Sequence, residues 1–99
     1  METNKIKHKV AATHGKFYMG NEEHNSAELT YSKADGDKII IDHTWVDPKL
    51  RNQGVGESLI EEAVTYARQE NMRIIALCTF AKSVFEQHPE MTDVLMENS

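Results

Sequence analysis

The sequence predicts an α+β domain: a mixed, mainly antiparallel sheet carrying one βαβ unit, with helices packed on it. Three observations lead there. Residues 5–46 break into short alternating or β-branched segments separated by glycine- and aspartate-bearing turns. Residues 55–70 carry apolar side chains at spacings of three and four, the period of an amphipathic helix. An apolar run, Arg73 to Cys78, follows at once. A strand, a helix and a strand in close succession make a right-handed crossover, whose two strands are parallel.

Taken in order, residues 1–4 are expected to fray, and Lys5 to Ala12 reads as an edge strand whose lysines discourage further pairing. His14-Gly15 fits a tight turn, with Lys16 to Met19 as the returning strand. Gly20 to Asn25 is polar and turn-like. Ser26 to Lys33 alternates Ala27, Leu29 and Tyr31 against Glu28, Thr30 and Ser32, as a half-buried strand does. Asp35-Gly36-Asp37 has the residues of a hairpin turn that requires positive φ. Lys38 to Val46 is a fourth strand, with Ile39, Ile41, His43 and Trp45 expected on one face and Ile40, Asp42, Thr44 and Val46 on the other. Bulk on both faces suggests a central strand covered on both sides. Asp47-Pro48 ends it, because proline lacks the ladder donor.

The helix buries Val55, Leu59, Ile60, Ala63, Val64, Tyr66 and Ala67, and turns Glu57, Glu61, Glu62, Arg68 and Gln69 to solvent. Asn71 is its stop. Thr79 is placed to cap a second helix carrying Phe80, Val84 and Phe85, which His88-Pro89 terminates, and Thr92 to Met96 can add a last turn. The whole chain, 1–99, reads as a single domain.

Composition narrows the function. Eleven basic against sixteen acidic residues give a net charge of −5 with no long basic block, which excludes nucleic acid and anionic membrane surfaces as partners. The single cysteine rules out an internal disulfide, the first residues lack the apolar core of a signal peptide, and no run can span a bilayer. A cytoplasmic location is expected. The five histidines show no metal-ligand spacing, so no metal is expected.

Between the fourth strand and the first helix stands Asp47-Pro48-Lys49-Leu50-Arg51-Asn52-Gln53-Gly54-Val55-Gly56. A strand, a basic glycine-bearing turn and a helix build an anion site from main chain. The first four N–H groups of a helix have no partner within it, and aligned peptide dipoles leave that end partly positive. Gly54 and Gly56 leave room for a phosphate, and Arg51 adds a full charge beside it. No Lys-Ser/Thr follows Gly56, which excludes a phosphate-loop NTPase.

Arg51-Asn52-Gln53-Gly54-Val55-Gly56 resembles R/Q-x-x-G-x-G/A, the pyrophosphate-binding motif of the GCN5-related N-acetyltransferases, and the resemblance extends from about Lys16 to Val84. It implies that acetyl-CoA is the co-substrate, with its pyrophosphate on the 51–56 loop and its pantetheine arm along Thr44, Trp45 and Val46. Main-chain N–H groups near Trp45 and Val46 would then polarise the thioester carbonyl. The resemblance is to the smallest members, since typical ones carry extra N-terminal helices for which this chain has no room. Many members place a tyrosine in A-x-x-x-Y as the acid toward the coenzyme thiolate. Here Ala81-Lys82-Ser83-Val84-Phe85 puts Phe85 at that position, and phenylalanine cannot donate a proton. Lys82, Ser83 and Phe85 are nevertheless expected near the coenzyme.

Three residues are candidates for the chemistry of acetyl transfer to an amine. His43 lies close to the expected acetyl end, and an imidazole, largely neutral at pH 7, can accept a proton from the amine. Its alternative role is a hydrogen bond within the sheet. Asp42 is the second candidate, as base or as a carboxylate that orients substrate. Cys78 ends the parallel strand and is either a transient acyl acceptor, aided by His43, or a small buried group. Two functions follow from different classes: an N-acetyltransferase acting on an amine of unknown identity by direct attack, or an acyl-CoA-binding module without transferase activity.

Overall fold

The computed structural model describes residues 6–20 and 25–96. The expectations for residues 1–4 and for most of the Gly20–Asn25 turn therefore lie outside the described residues. Five strands form one sheet in the order β1 (Lys7–Val10), β2 (His14–Gly20), β3 (Asn25–Ala34), β4 (Lys38–Val46) and β5 (Arg73–Ala76). The first four pair antiparallel, and β5 runs parallel to β4, as the crossover requires. The crossover helix α1 spans Val55–Glu70, and α2 spans Thr79–Gln87. A 3-10 segment, Pro89–Val94, then returns the chain to β5, where Met96 N–H donates to the Ile74 carbonyl.

Asn71 closes α1 in the left-handed conformation (φ 57°), and Met72 N–H donates to the Ala67 carbonyl, which satisfies the helix end. The hairpin at Asp35-Gly36 uses positive φ at both residues. Two boundaries differ from expectation. His14-Gly15 is the start of β2 rather than a turn; the β1–β2 reversal falls at Ala11–His14, closed by a hydrogen bond from Ala11 N–H to the His14 carbonyl. Gly15 is there because Tyr31 lies across it: a Cβ would stand 2.4 Å from the Tyr31 hydroxyl oxygen and 2.8 Å from the Lys9 carbonyl. The N-cap of α2 is Cys78, not Thr79, and it makes no side-chain cap bond.

One core fills one side of the sheet. Phe17, Leu29, Tyr31, Ile39, Ile41 and Ile74 meet Leu59, Ile60, Ala63 and Val64 of α1 and Ala81, Val84 and Phe85 of α2. The residues that alternate with them, Lys16, Thr30, Ser32 and Asp42 among others, line an open cleft on the opposite face. The expectation that β4 is covered on both faces is thus corrected: both helices lie on one. At the N-terminal edge, the His8 ring stacks on Phe17 at 4.0 Å and meets the edge of Tyr66 at 4.6 Å. Its Nε2 is 2.7 Å from the Tyr31 hydroxyl. Burial in this aromatic group, and then the Lys33 charge, pushes the His8 pKa down; burial first, then Tyr66, pushes the Tyr31 phenol up.

Candidate functional site

The end of β4 departs from simple alternation, and the site depends on it. Tyr31 pairs with Ile41 and Thr30 with His43, leaving Asp42 with no residue opposite. This β-bulge shifts the phase of the strand. Ile39 and Ile41 are buried; beyond the bulge Thr44 and Val46 are the half-buried residues, whereas Asp42, His43 and Trp45 are exposed. His43 and Trp45 therefore do not share the face of Ile39 and Ile41 as expected. Thr44 does, and it is the residue that meets the cysteine, with Cys78 Sγ 3.6 Å from Thr44 Oγ1. The side chain that meets the cysteine is thus Thr44, and His43 stands with Thr30 on the other side of the strand.

Pairing between β4 and β5 ends at Ile41–Ala76, with one further bond from Leu77 N–H to the Ile41 carbonyl. Residues 42–46 of β4 thus run on with β3 along one edge and no strand along the other. Asp47 N–H donates to Ser26 in the β3 direction. Successive main-chain groups alternate, so those of Val46 and Thr44 point to the open edge.

That edge looks onto a cleft of about 600 Å³ lined by Thr44, Trp45, Val46, Leu50, Arg51, Asn52, Gly54, Val55, Gly56, Glu57 and Phe80. The loop bringing the chain there is built by local rules. Asp47 accepts from Lys49 N–H and caps a short 3-10 turn, Pro48–Leu50, in which proline occupies the first position. Asn52 (φ 66°) and Gly54 (φ 81°) are left-handed, so the chain coils tightly into α1. Gly54 is the N-cap, and having no side chain it leaves the first-turn N–H groups uncapped. Arg51 Nε donates to the Val46 carbonyl at 3.0 Å, which ties the guanidinium across the junction of strand and loop. Its two terminal nitrogens make no bond among the described residues. The cleft thus combines a cation, uncapped helix donors and an open strand edge, an arrangement suited to a long anionic ligand.

Gly56 has a role beyond leaving room for phosphate. A Cβ there would lie 2.6 Å from Phe80 Cζ, so the ring of α2 rests on the first turn of α1 and forms a wall of the cleft. Phe80 was legible in the sequence only as an apolar helix residue; the small residue at position 56 was the one hint of a close neighbour. Leu50 and Glu57 are likewise lining residues that the motif did not indicate.

Of the predicted coenzyme contacts, Thr44 to Val46, Arg51, Asn52 and Gly54 to Gly56 come together. Gln53 lies beside them, its side chain donating to the Lys49 carbonyl. Lys82 and Ser83 are exposed on α2 outside the lining, and Phe85 is a core residue. Ala81, Val84 and Phe85 make the stripe that α2 buries, so it is Phe80, and not Phe85 as expected, that lines the cleft. Asp42 accepts from Ser32 Oγ at 2.8 Å and belongs to the opposite face.

Residues 16–94 match the family described as GCN5-related N-acetyl-transferase. A GCN5-like protein of Staphylococcus aureus proposed to be an N-acetyltransferase, solved by NMR, is 39% identical; the alignment covers 100% of this chain and 94% of that one, with a TM-score of 0.77. Two larger proteins share the fold. The ribosomal-protein-S18-alanine N-acetyltransferase of Escherichia coli is 16% identical over 79% of this chain and 53% of its own, with a TM-score of 0.64. A streptothricin acetyltransferase assignment from Bacillus anthracis, crystallised with acetyl coenzyme A, is 22% identical over 78% and 47%, with a TM-score of 0.60. No curated protein matches in sequence. Among the described residues no helix is long and apolar enough to cross a membrane.

Proposed function

The chain belongs to the GCN5-related N-acetyltransferase family, acetyl-CoA-dependent enzymes that acetylate an amine, and we propose that it holds its coenzyme in the cleft between β4 and the start of α1. One observation carries this reading: the 51–56 loop brings Arg51 and the uncapped N–H groups of α1 to the same cleft as the open edge of β4. The pyrophosphate sits on the Gly54–Gly56 turn, with Arg51 Nη against it. Pantetheine runs along Thr44 to Val46, and Phe80 packs on its outer side. The acetyl end then reaches the Thr44–Cys78 pair.

Transfer is direct. The neutral amine attacks the thioester carbonyl carbon, the oxyanion accepts a main-chain hydrogen bond from the β4 edge, and the carbon–sulfur bond breaks as the tetrahedral intermediate collapses. His43 takes the amine's proton, through water where the two do not touch, since it is exposed beside the bulge. The departing thiolate needs a proton that Phe85 cannot supply; the Cys78 thiol beside Thr44, or water, supplies it. A single free cysteine and an acidic surface fit a cytoplasmic protein.

Calorimetric titration with coenzyme A, combined with thiol release from acetyl-CoA over a panel of amines, tests the reading. Binding that requires Arg51, together with amine-dependent thiol release, is the expected result. Absence of binding would remove the cleft assignment.

A further inference from the structure

The helix-free face of the sheet carries a second cleft, of about 500 Å³, lined by Lys9, His14, Lys16, Thr30, Ser32 and Asp42, with the Gly15 and Tyr31 positions as its floor. Its volume falls in the range of small-molecule sites, about 300–1,000 Å³. The charges within it are separated. Asp42 stands on β4, held by the Ser32 hydroxyl through one carboxylate oxygen, while the other oxygen makes no bond among the described residues. Lys16 and His14 stand two strands away on β2, with Lys9 beyond them on β1. Two strand spacings place the Asp42 and Lys16 backbones about 10 Å apart. Lys16 makes no ion pair among the described residues; its ammonium rests 5.2 Å from the Tyr18 ring centroid.

The position of Asp42 follows from the bulge, which gives it no cross-strand partner, and it precedes His43 and Thr44 directly. At about 3.3 Å per residue, Asp42 is roughly 7 Å along the strand from Thr44; the two face opposite sides of the sheet, but both lie on the stretch of β4 whose edge β5 leaves open, so the two sides communicate there. Thr30, which lines this cleft, is the cross-strand partner of His43. The acidic end of the cleft is therefore the end nearest the expected acetyl group, and the basic end is the far one.

We propose that this cleft is the acceptor site, and that its ligand is a small amine that also carries a carboxylate or phosphate. The amine lies at Asp42, and the anionic group lies at Lys16, His14 and Lys9. This rests on the acetyl-transfer reading above for the word acceptor, but the binding claim stands without coenzyme. An ammonium held by Asp42 gives its proton up before attack, and the exposed His43 next to it is the group placed to receive it. A neutral amine would leave the basic end unused, and a purely anionic ligand would meet Asp42.

The test is a titration of isotope-labelled protein followed by amide NMR, with O-phosphoethanolamine, β-alanine, ethanolamine and inorganic phosphate as separate probes. O-phosphoethanolamine or β-alanine should shift the amides of Gly15, Lys16, Thr30, Ser32 and Asp42, and saturate at a concentration at least tenfold below that of ethanolamine or phosphate. Whichever of the two binds more tightly names the anionic group. Asp42→Asn, at an exposed position, and Lys16→Ala, at a half-buried one, should each remove that tenfold advantage, and Ser32→Ala should reduce it. Equal affinities for all four probes, shifts located elsewhere, or an advantage surviving both substitutions would overturn the proposal. Transfer assays separate the two readings. If acetyl-CoA does not bind while the bifunctional probes do, the coenzyme cleft is wrong and this site stands. If acetyl-CoA binds and simple amines are acetylated as well as bifunctional ones, this inference fails alone.

Discussion

Replacing Gly56 with alanine separates the two roles that the structure assigns to that position. The new Cβ would lie 2.6 Å from Phe80 Cζ and 2.8 Å from Cε2, about 1 Å inside ordinary carbon contact. Phe80 is 40% exposed, so its ring can swing outward rather than force the helices apart. Displacing it off its rotamer costs about 0.5–1.5 kcal/mol. Alanine returns about 0.8–1 kcal/mol relative to glycine in a helix interior and less at this second helical position. These nearly cancel, and stability measured by urea unfolding should change by less than about 1 kcal/mol. The motif admits alanine at this position, so the methyl alone should be tolerated, and a loss of coenzyme affinity is expected through the displaced Phe80 ring, which narrows the cleft. Loss of one charge-assisted hydrogen bond costs about 1.5–3 kcal/mol, which is roughly a 10- to 150-fold weaker Kd for coenzyme A in calorimetry. Adding Phe80→Ala apportions the loss: recovery identifies the ring as the obstruction, and no recovery identifies the methyl. Because the motif admits alanine here, wild-type affinity in Gly56→Ala would refute only the part given to Phe80; wild-type affinity in Gly56→Trp would refute the placement of the phosphates on this turn.

Arg51→Ala should weaken coenzyme A by about 1.5–3 kcal/mol in the same titration, and raising ionic strength should weaken the wild type only modestly, because one cation and main-chain donors carry the site. Cys78→Ala should retain substantial amine acetylation under direct transfer, and His43→Ala should lower the rate of acetylation; an acetyl adduct on Cys78 that amine discharges, seen by mass spectrometry, would reverse the mechanism. Gly15→Ala should destabilise by about 1–3 kcal/mol in urea, since its Cβ meets the buried Tyr31 hydroxyl and the Lys9 backbone, neither of which can move freely. His8 gives a pH dependence: its pKa is lowered in the folded protein, so the unfolded chain binds the extra proton first. Its contribution is present above the unfolded value of about 6.5 and declines as pH falls through the lower folded value. His8→Phe should flatten that part of the stability profile measured by thermal melts, and an unchanged slope would assign it to other groups.

The sequence alone determined those features that depend on neighbours in the chain. Alternation and the Asp35-Gly36 turn define the β3–β4 hairpin, three- and four-residue spacing defines α1, and the bounds of β4 and α1 agree with the structure because each has strong local stop signals in Asp47-Pro48 and Asn71. The anion-binding turn was legible for the same reason, since its donors are main-chain groups that adjacent residues position. What depends on packing across the sheet was not legible. The β-bulge at Asp42 adds one residue to β4 relative to β3, and because side chains alternate with a period of two, that single residue exchanges His43 for Thr44 opposite Cys78. No local signal distinguishes a bulged strand from a regular one when both faces carry bulk, as Ile40 and Ile41 do. Phe80 and Phe85 are five residues apart on one helix, and only the docking of α2 against α1 decided that Phe85 fills the core while Phe80 leans on Gly56. The bare face of the sheet, where Asp42 and Lys16 face one cleft from strands far apart in sequence, exists because both helices chose the other side.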